Sequence, residues 1–133
     1  MNRSKKPKYK DSRASINGKD YFGTVYDGMC RSKKYRNMTI GAKHFYTLCR
    51  VQAKSTHGKA CLYKHSNEYG ITYNENCFVF PSSHLAMYGV DRSNACRYFK
   101  ELEGAGFIKK IESNKHIKKI NVYEFSDGWK DSG

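Results

Sequence analysis

The chain of 133 residues contains no long hydrophobic run. Nothing in it approaches the roughly 20 consecutive apolar residues that cross a bilayer. It has no CxxC pair either. Its five cysteines, Cys30, Cys49, Cys61, Cys77 and Cys96, are odd in number and scattered, which argues for free thiols in a reducing compartment over a disulfide framework. No glycine-rich phosphate loop of either common pattern is present, so the usual nucleotide cradles are missing. There is no His-x-His pair and no tight acidic cluster. A tyrosine nucleophile for DNA nicking or joining would therefore lack the metal ligands or convergent Arg and His groups it needs. These absences lead to the expectation of no enzymatic activity, no cofactor and no small-molecule substrate. The stretch Met1 to Lys10 is basic and polar with no apolar segment behind it, which is not the layout of a secretory leader. A cytoplasmic protein without a membrane partner is expected.

What the sequence has in excess is positive charge. Its 25 Lys and Arg stand against 12 Asp and Glu, for a formal net charge of +13. Such a surplus favours a polyanionic partner, because each neutralised phosphate releases condensed counterions. Aromatic residues are also plentiful, with 11 Tyr and 7 Phe, so the core is expected to be built largely from rings and a few aliphatic side chains.

The charge is unevenly spread. Residues 1–20 carry seven basic and two acidic side chains with almost nothing apolar. A segment of that kind cannot bury enough surface to offset its ordering entropy, so it reads as a disordered basic arm. The aromatic and β-branched cluster Tyr21 to Tyr26 suggests a short strand or anchoring segment, and Arg31, Lys33, Lys34 and Arg36 form a second basic cluster. A helix is expected over 39–54, capped by Thr39, with Phe45, Leu48 and Cys49 toward the core. Residues 55–76, with Gly58, Gly70 and many polar side chains, read as a loop or irregular insertion. Cys77 to Phe80 then reads as a buried strand ended by Pro81.

From Ser82 onward the local signals agree. Ser82 or Ser83 caps a short helix, Ser83 to Tyr88, that turns Leu85 inward; Gly89 ends it and Val90 plugs the turn. Asp91 caps a second helix ending near Gly104 or Gly106, with Ala95, Phe99 and Leu102 on one face. Helix, glycine turn and helix make a helix-turn-helix. The β-rich runs 107–111 and 120–125 flank a polar, basic tip and predict a hairpin, the wing. The whole reads as an α+β winged helix-turn-helix over 21–130. It has a three-helix core and a small antiparallel sheet, and it is preceded by the arm at 1–20.

The stretch YGVDRSNACRYFKELEGAGFI resembles the winged helix-turn-helix core of many bacterial and phage regulators and replication proteins. With NVYEFSDGWK, FVFP and YRNMTIGAKHFYTLC, it is similar to the small winged-helix proteins of plasmids, phages and integrative elements in Gram-positive bacteria. The resemblance spans roughly residues 21–130, and its specific part is 77–130. It implies binding of double-stranded DNA in transcription regulation or replication control of a mobile element, without catalysis.

Carried over by position, the helix 91–104 is the recognition helix, presenting Arg92, Ser93, Asn94 and Arg97 to the major groove with Lys100 a turn further on. Arg92 and Arg97 suit guanine, and Asn94 suits adenine or a phosphate. Lys109 and Lys110, with Lys115, His116, Lys118 and Lys119 of the wing (112–119), would meet the backbone or the minor groove. Glu101 and Glu103 depart from this pattern and imply that the C-terminal half of the helix leaves the DNA. A homodimer reading two half-sites is compatible, with helix 39–54 or the N-terminal segment as its contact.

Two alternatives stay open. An RNA-binding role predicts stacking aromatics, for which the sequence shows no platform motif. A protein-interaction adaptor would treat Arg97 and Glu101 as an ordinary i,i+4 surface pair. Metal binding has one candidate set, His57, Cys61 and His65, spaced to share a helix face, in surroundings that read as a loop. His44 and His84 read as packing or surface residues.

Overall fold

The computed structural model describes residues 25–112 and 121–132. The arm at 1–20 and the wing tip with Lys115, His116, Lys118 and Lys119 lie outside the described residues. The chain is α+β, with several helices and one small three-stranded antiparallel sheet. Among the described residues two short helices come first, α1 (Asp27–Arg31) and α2 (Lys33–Arg36), so Val25 and Tyr26 lead into a helix and not along a strand. They are followed by α3 (Ile40–Lys54) and α4 (Thr56–Tyr69). Strand β1 (Cys77–Phe78) precedes α5 (Ser82–Met87) and α6 (Arg92–Ala105). Strands β2 (Ile108–Glu112) and β3 (Val122–Phe125) lead to a closing 3-10 turn, Gly128–Ser132.

The expected loop at 55–76 is overturned for most of its length, because α4 runs through it. Ser55 explains how. It ends α3, its hydroxyl donating to the Gln52 carbonyl at 3.0 Å, and it caps α4, the same oxygen accepting from the Gly58 amide at 2.9 Å. One side chain closes one helix and opens the next, so no loop separates them. The apolar periodicity of α4 is weak, which hides it from pattern reading; only Gly58 and His65 are fully buried along it. The strand at 77–80 is shorter than expected: Val79 and Phe80 are buried but only Cys77 and Phe78 pair with β3. Neither Ser82 nor Ser83 caps α5, since Pro81 holds the N-cap position.

The turn between α5 and α6 follows the sequence closely. The Val90 amide donates to the Leu85 carbonyl and the Gly89 amide to that of Ala86, with Gly89 at φ 74°. That left-handed residue is the hinge of a Schellman motif, and half-buried Val90 packs on the core. Asp91 then caps α6, accepting from the Asn94 amide at 2.9 Å. The same motif ends α6, where the Phe107 amide reaches the Leu102 carbonyl across Gly106 at φ 87°. A side chain at Gly106 would also meet the Trp129 amide nitrogen at 2.6 Å, so glycine is required there twice over.

Strand β3 is central, in the order β1-β3-β2. Ile108 pairs with Phe125, Lys109 with Glu124 and Lys110 with Tyr123; a bulge then shifts Glu112 opposite Val122. Alternation gives the sheet two faces. Phe78, Tyr123 and Phe125 face the main core, where Phe99 stacks on Tyr123 at 4.3 Å and Phe45 meets Phe99 edge-on at 4.9 Å. Cys77, Val79 and Val122 form a second small cluster with Cys61 and Leu62 of α4. The aromatic core expected from composition is therefore real, each close ring pair adding about 0.5–1.5 kcal/mol beyond burial.

Candidate nucleic-acid interface

Helix α6 buries Ala95, Phe99 and Leu102 and leaves the opposite face to solvent. At 3.6 residues per turn, Ser93, Arg97, Lys100 and Gly104 align on that outer stripe, all four exposed, with exposed Arg92 and half-buried Asn94 flanking its start. Gly104 has nothing near its missing side chain, so the stripe ends on bare backbone. Arg97 donates to the Asn94 side-chain oxygen, and its guanidinium lies 5.3 Å from the Tyr98 ring centre. Ser93 donates to the Asp91 carboxylate at 3.2 Å. Four of the five residues expected from α6 are thus brought together in its N-terminal half, and Lys100 follows on the same exposed stripe.

Tyr98 is the anchor that sets the position of this helix. Its ring lies over Gly41 of α3, where an added Cβ would sit 2.4 Å from the phenol oxygen, and beside Phe45 at 5.6 Å. Only glycine at 41 lets the ring lie so close to α3. Glu101 reinforces the same crossing. Its carboxylate accepts from the Thr39 amide at 2.7 Å and from the Thr39 hydroxyl at 2.9 Å, while Thr39 itself caps α3 by accepting from Ala42. Glu101 is therefore a second cap supplied from another helix, a negative group at the positive end of α3. It is not the i,i+4 partner of Arg97. Nothing in the sequence marks a contact between residues 62 positions apart.

The two strand lysines part company. Lys109 pairs with Glu124 at 3.7 Å, on the sheet face away from α6. Its neighbour Lys110, opposite Tyr123, is on the α6 side and exposed. Lys110 belongs with α6, and Lys109 does not. The expectation that grouped them missed the alternation of the strand.

The candidate metal set shares one side of α4, yet its members engage different neighbours. Buried His65 packs against the rings of Tyr69 and Tyr73, at 5.0 and 6.0 Å; Cys61 joins the Val79–Val122 cluster; His57 faces the His84 ring at 6.1 Å. Among the described residues no three His, Cys, Asp or Glu side chains come together. His84 is half-buried on α5 and tied to α3, with the Gln52 side-chain nitrogen 2.7 Å from Nδ1 and 2.9 Å from the Val79 carbonyl. Burial, and then the charge of His57, lowers the pKa of His84. His44 is an exposed residue of α3.

Among the described residues no helix is long and apolar enough to cross a membrane. Comparison of the chain with family models, with characterised proteins and with solved structures gives no match.

Proposed function

We propose that this protein is a winged helix-turn-helix that binds double-stranded DNA with a sequence preference, inserting the N-terminal half of α6 into the major groove. The observation that carries the reading is the outer stripe of α6. Ser93, Arg97 and Lys100 face solvent on a helix whose other side is fixed by Tyr98, Phe99 and Leu102. A rigidly held, basic helix end with spare hydrogen-bond donors matches the width and the donor–acceptor code of a major groove. Lys110 and the basic stretch between β2 and β3 lie beside it in sequence and would take the phosphate backbone. The surplus of positive charge supports the same partner. Use in transcription regulation or replication control belongs to this proposal.

The test is a titration of labelled random-sequence duplexes across salt concentration, followed by selection of a preferred site. Binding with a steep inverse dependence on salt, together with recovery of a consensus that Arg97→Ala loses, is the expected result. Absence of duplex affinity at low salt would overturn the proposal.

A further inference from the structure

A second basic surface lies on the far side of α3, built from parts of the chain that are remote in sequence. Two adjoining clefts of about 440 and 240 Å³ share Tyr26, Arg50, Asn76 and Phe125 as their common wall. Lys54 and Lys59 line one end; Trp129, Lys109 and Lys130 line the other. From Phe45, which faces α6, Arg50 and Lys54 lie about 140° and 180° further round α3 at 100° per residue. This groove and the outer stripe of α6 therefore point in opposite directions.

Arg50 is held in place. Its Nε donates to the Tyr46 hydroxyl at 2.9 Å, and its guanidinium carbon lies 3.8 Å from the centre of the Phe125 ring. Stacking fixes the plane of the fork, and Arg50 lines both clefts. Among the described residues no carboxylate is within ion-pair distance of it. The acidic residues of the groove are mostly engaged: Glu124 faces Lys109 at 3.7 Å and the Asn74 amide at 2.8 Å, and Asp127 faces Lys130 at 3.8 Å. That leaves Arg50, Lys54 and Lys59 against Glu75, a local excess of positive charge. The walls are aromatic. Tyr26 is 57% exposed at the rim, and Trp129 lines the cleft, stacked on Phe107 at 5.9 Å with the Lys130 ammonium 5.6 Å from its ring centre.

Cations spaced along a groove with ring faces beside them form a site for a flexible polyanion carrying planar groups. We propose that this groove binds single-stranded nucleic acid, with Arg50, Lys54 and Lys59 on successive phosphates and bases against Tyr26 and Trp129. The site is independent of the duplex reading, because that reading uses the outer stripe of α6 and the groove lies on the far side of α3. A duplex is a poor fit, because its bases are stacked on one another and cannot reach the rings. DNA and RNA strands share the phosphate and base chemistry, so the experiment separates them.

Trp129 is the only tryptophan in the chain, which makes its fluorescence a local reporter. The full-length protein is titrated with a fifteen-residue oligothymidylate, the matching oligouridylate and a duplex of equal length. The expected result is saturable quenching of Trp129 by one or both single strands and not by the duplex. The double variant Lys54→Glu, Lys59→Glu, both exposed side chains, should weaken that quenching more than tenfold while duplex affinity changes less than threefold. Oligothymidylate and oligouridylate quenching equally would assign the groove to single strands of either sugar; a preference for one assigns it to that strand chemistry. Single-strand binding that leaves Trp129 unquenched, or that Arg92→Ala abolishes and the double variant does not, overturns the proposal and moves the strand to α6. Quenching that persists when no duplex binding is found leaves the groove in place and removes the α6 reading.

Discussion

Gly58→Ala and Gly104→Ala are the same substitution in two helices, and the structure gives them opposite signs. On propensity alone both should stabilise, by up to about 1 kcal/mol each, because alanine loses less backbone entropy in a helix. At Gly104, on the outer stripe of α6, nothing lies within 4 Å of the added Cβ, so the gain should be realised, at about 0.5 kcal/mol so near the helix end. At Gly58 the new Cβ would sit 1.8 Å from the backbone carbonyl oxygen of Gln52, and also 3.1 Å from the Ser55 hydroxyl oxygen. A backbone atom cannot swing aside as a side chain does. The α3–α4 corner must open by more than 1 Å to bring that contact past the 3.0 Å that real Cβ atoms keep. Opening it costs the Ser55 cap, about 0.5–2 kcal/mol, plus the strain of overpacking, about 1–3 kcal/mol. Against the gain in propensity the net is a destabilisation on the order of 1–4 kcal/mol. Urea unfolding of the two variants and the parent, followed by circular dichroism, measures the difference directly. A Gly58→Ala protein as stable as the parent would mean that residues 55–58 form an adaptable turn and not a fixed corner.

Arg92→Ala and Arg97→Ala should each cost about 1–3 kcal/mol on a preferred duplex site and little on random sequence, as competition binding would show. Removing Lys110 should instead weaken binding to all sequences by a similar factor and lower the salt slope, because a phosphate contact reads no base. Glu101→Ala removes the second cap of α3 and should lower stability by about 1 kcal/mol in urea, whereas Glu103→Ala should stay within about 0.5 kcal/mol. His84 makes stability depend on pH with a defined sign. Its folded pKa is below the ordinary 6.5, so in mild acid the unfolded chain binds more protons than the folded one. Stability is therefore fully present above about pH 6.5 and falls as pH drops through that value toward the lowered pKa. His84→Gln, which keeps an acceptor for Gln52, should flatten that slope in thermal melts run from about pH 7 to 5. An unchanged slope would place the titration elsewhere.

The segment from Leu85 to Phe107 was legible in the sequence because everything that shapes it is local. Asp91 caps the helix it begins, Gly89 and Gly106 supply left-handed residues at the ends, and Ala95, Phe99 and Leu102 fall on one face by spacing alone. The α3 helix was legible for the same reason, with Thr39 at its start and Phe45 and Cys49 buried. Helix α4 was not, because its apolar spacing is faint and its start depends on Ser55 serving two helices at once.

Local order along the chain sets the elements of the α5–α6 unit, the aromatic character of the core, the positive charge and the stripe of donors on α6. Each of these rests on interactions within a turn or two of the chain, or on composition. It takes the packed fold for Glu101 to cap α3, for Lys109 to turn to Glu124 while Lys110 stays with α6, and for Arg50, Phe125, Tyr26 and Trp129 to meet in one groove. Those contacts join residues well beyond a turn or two apart in the chain, and their geometry is set by how helices cross and strands alternate, which no stretch of sequence records alone.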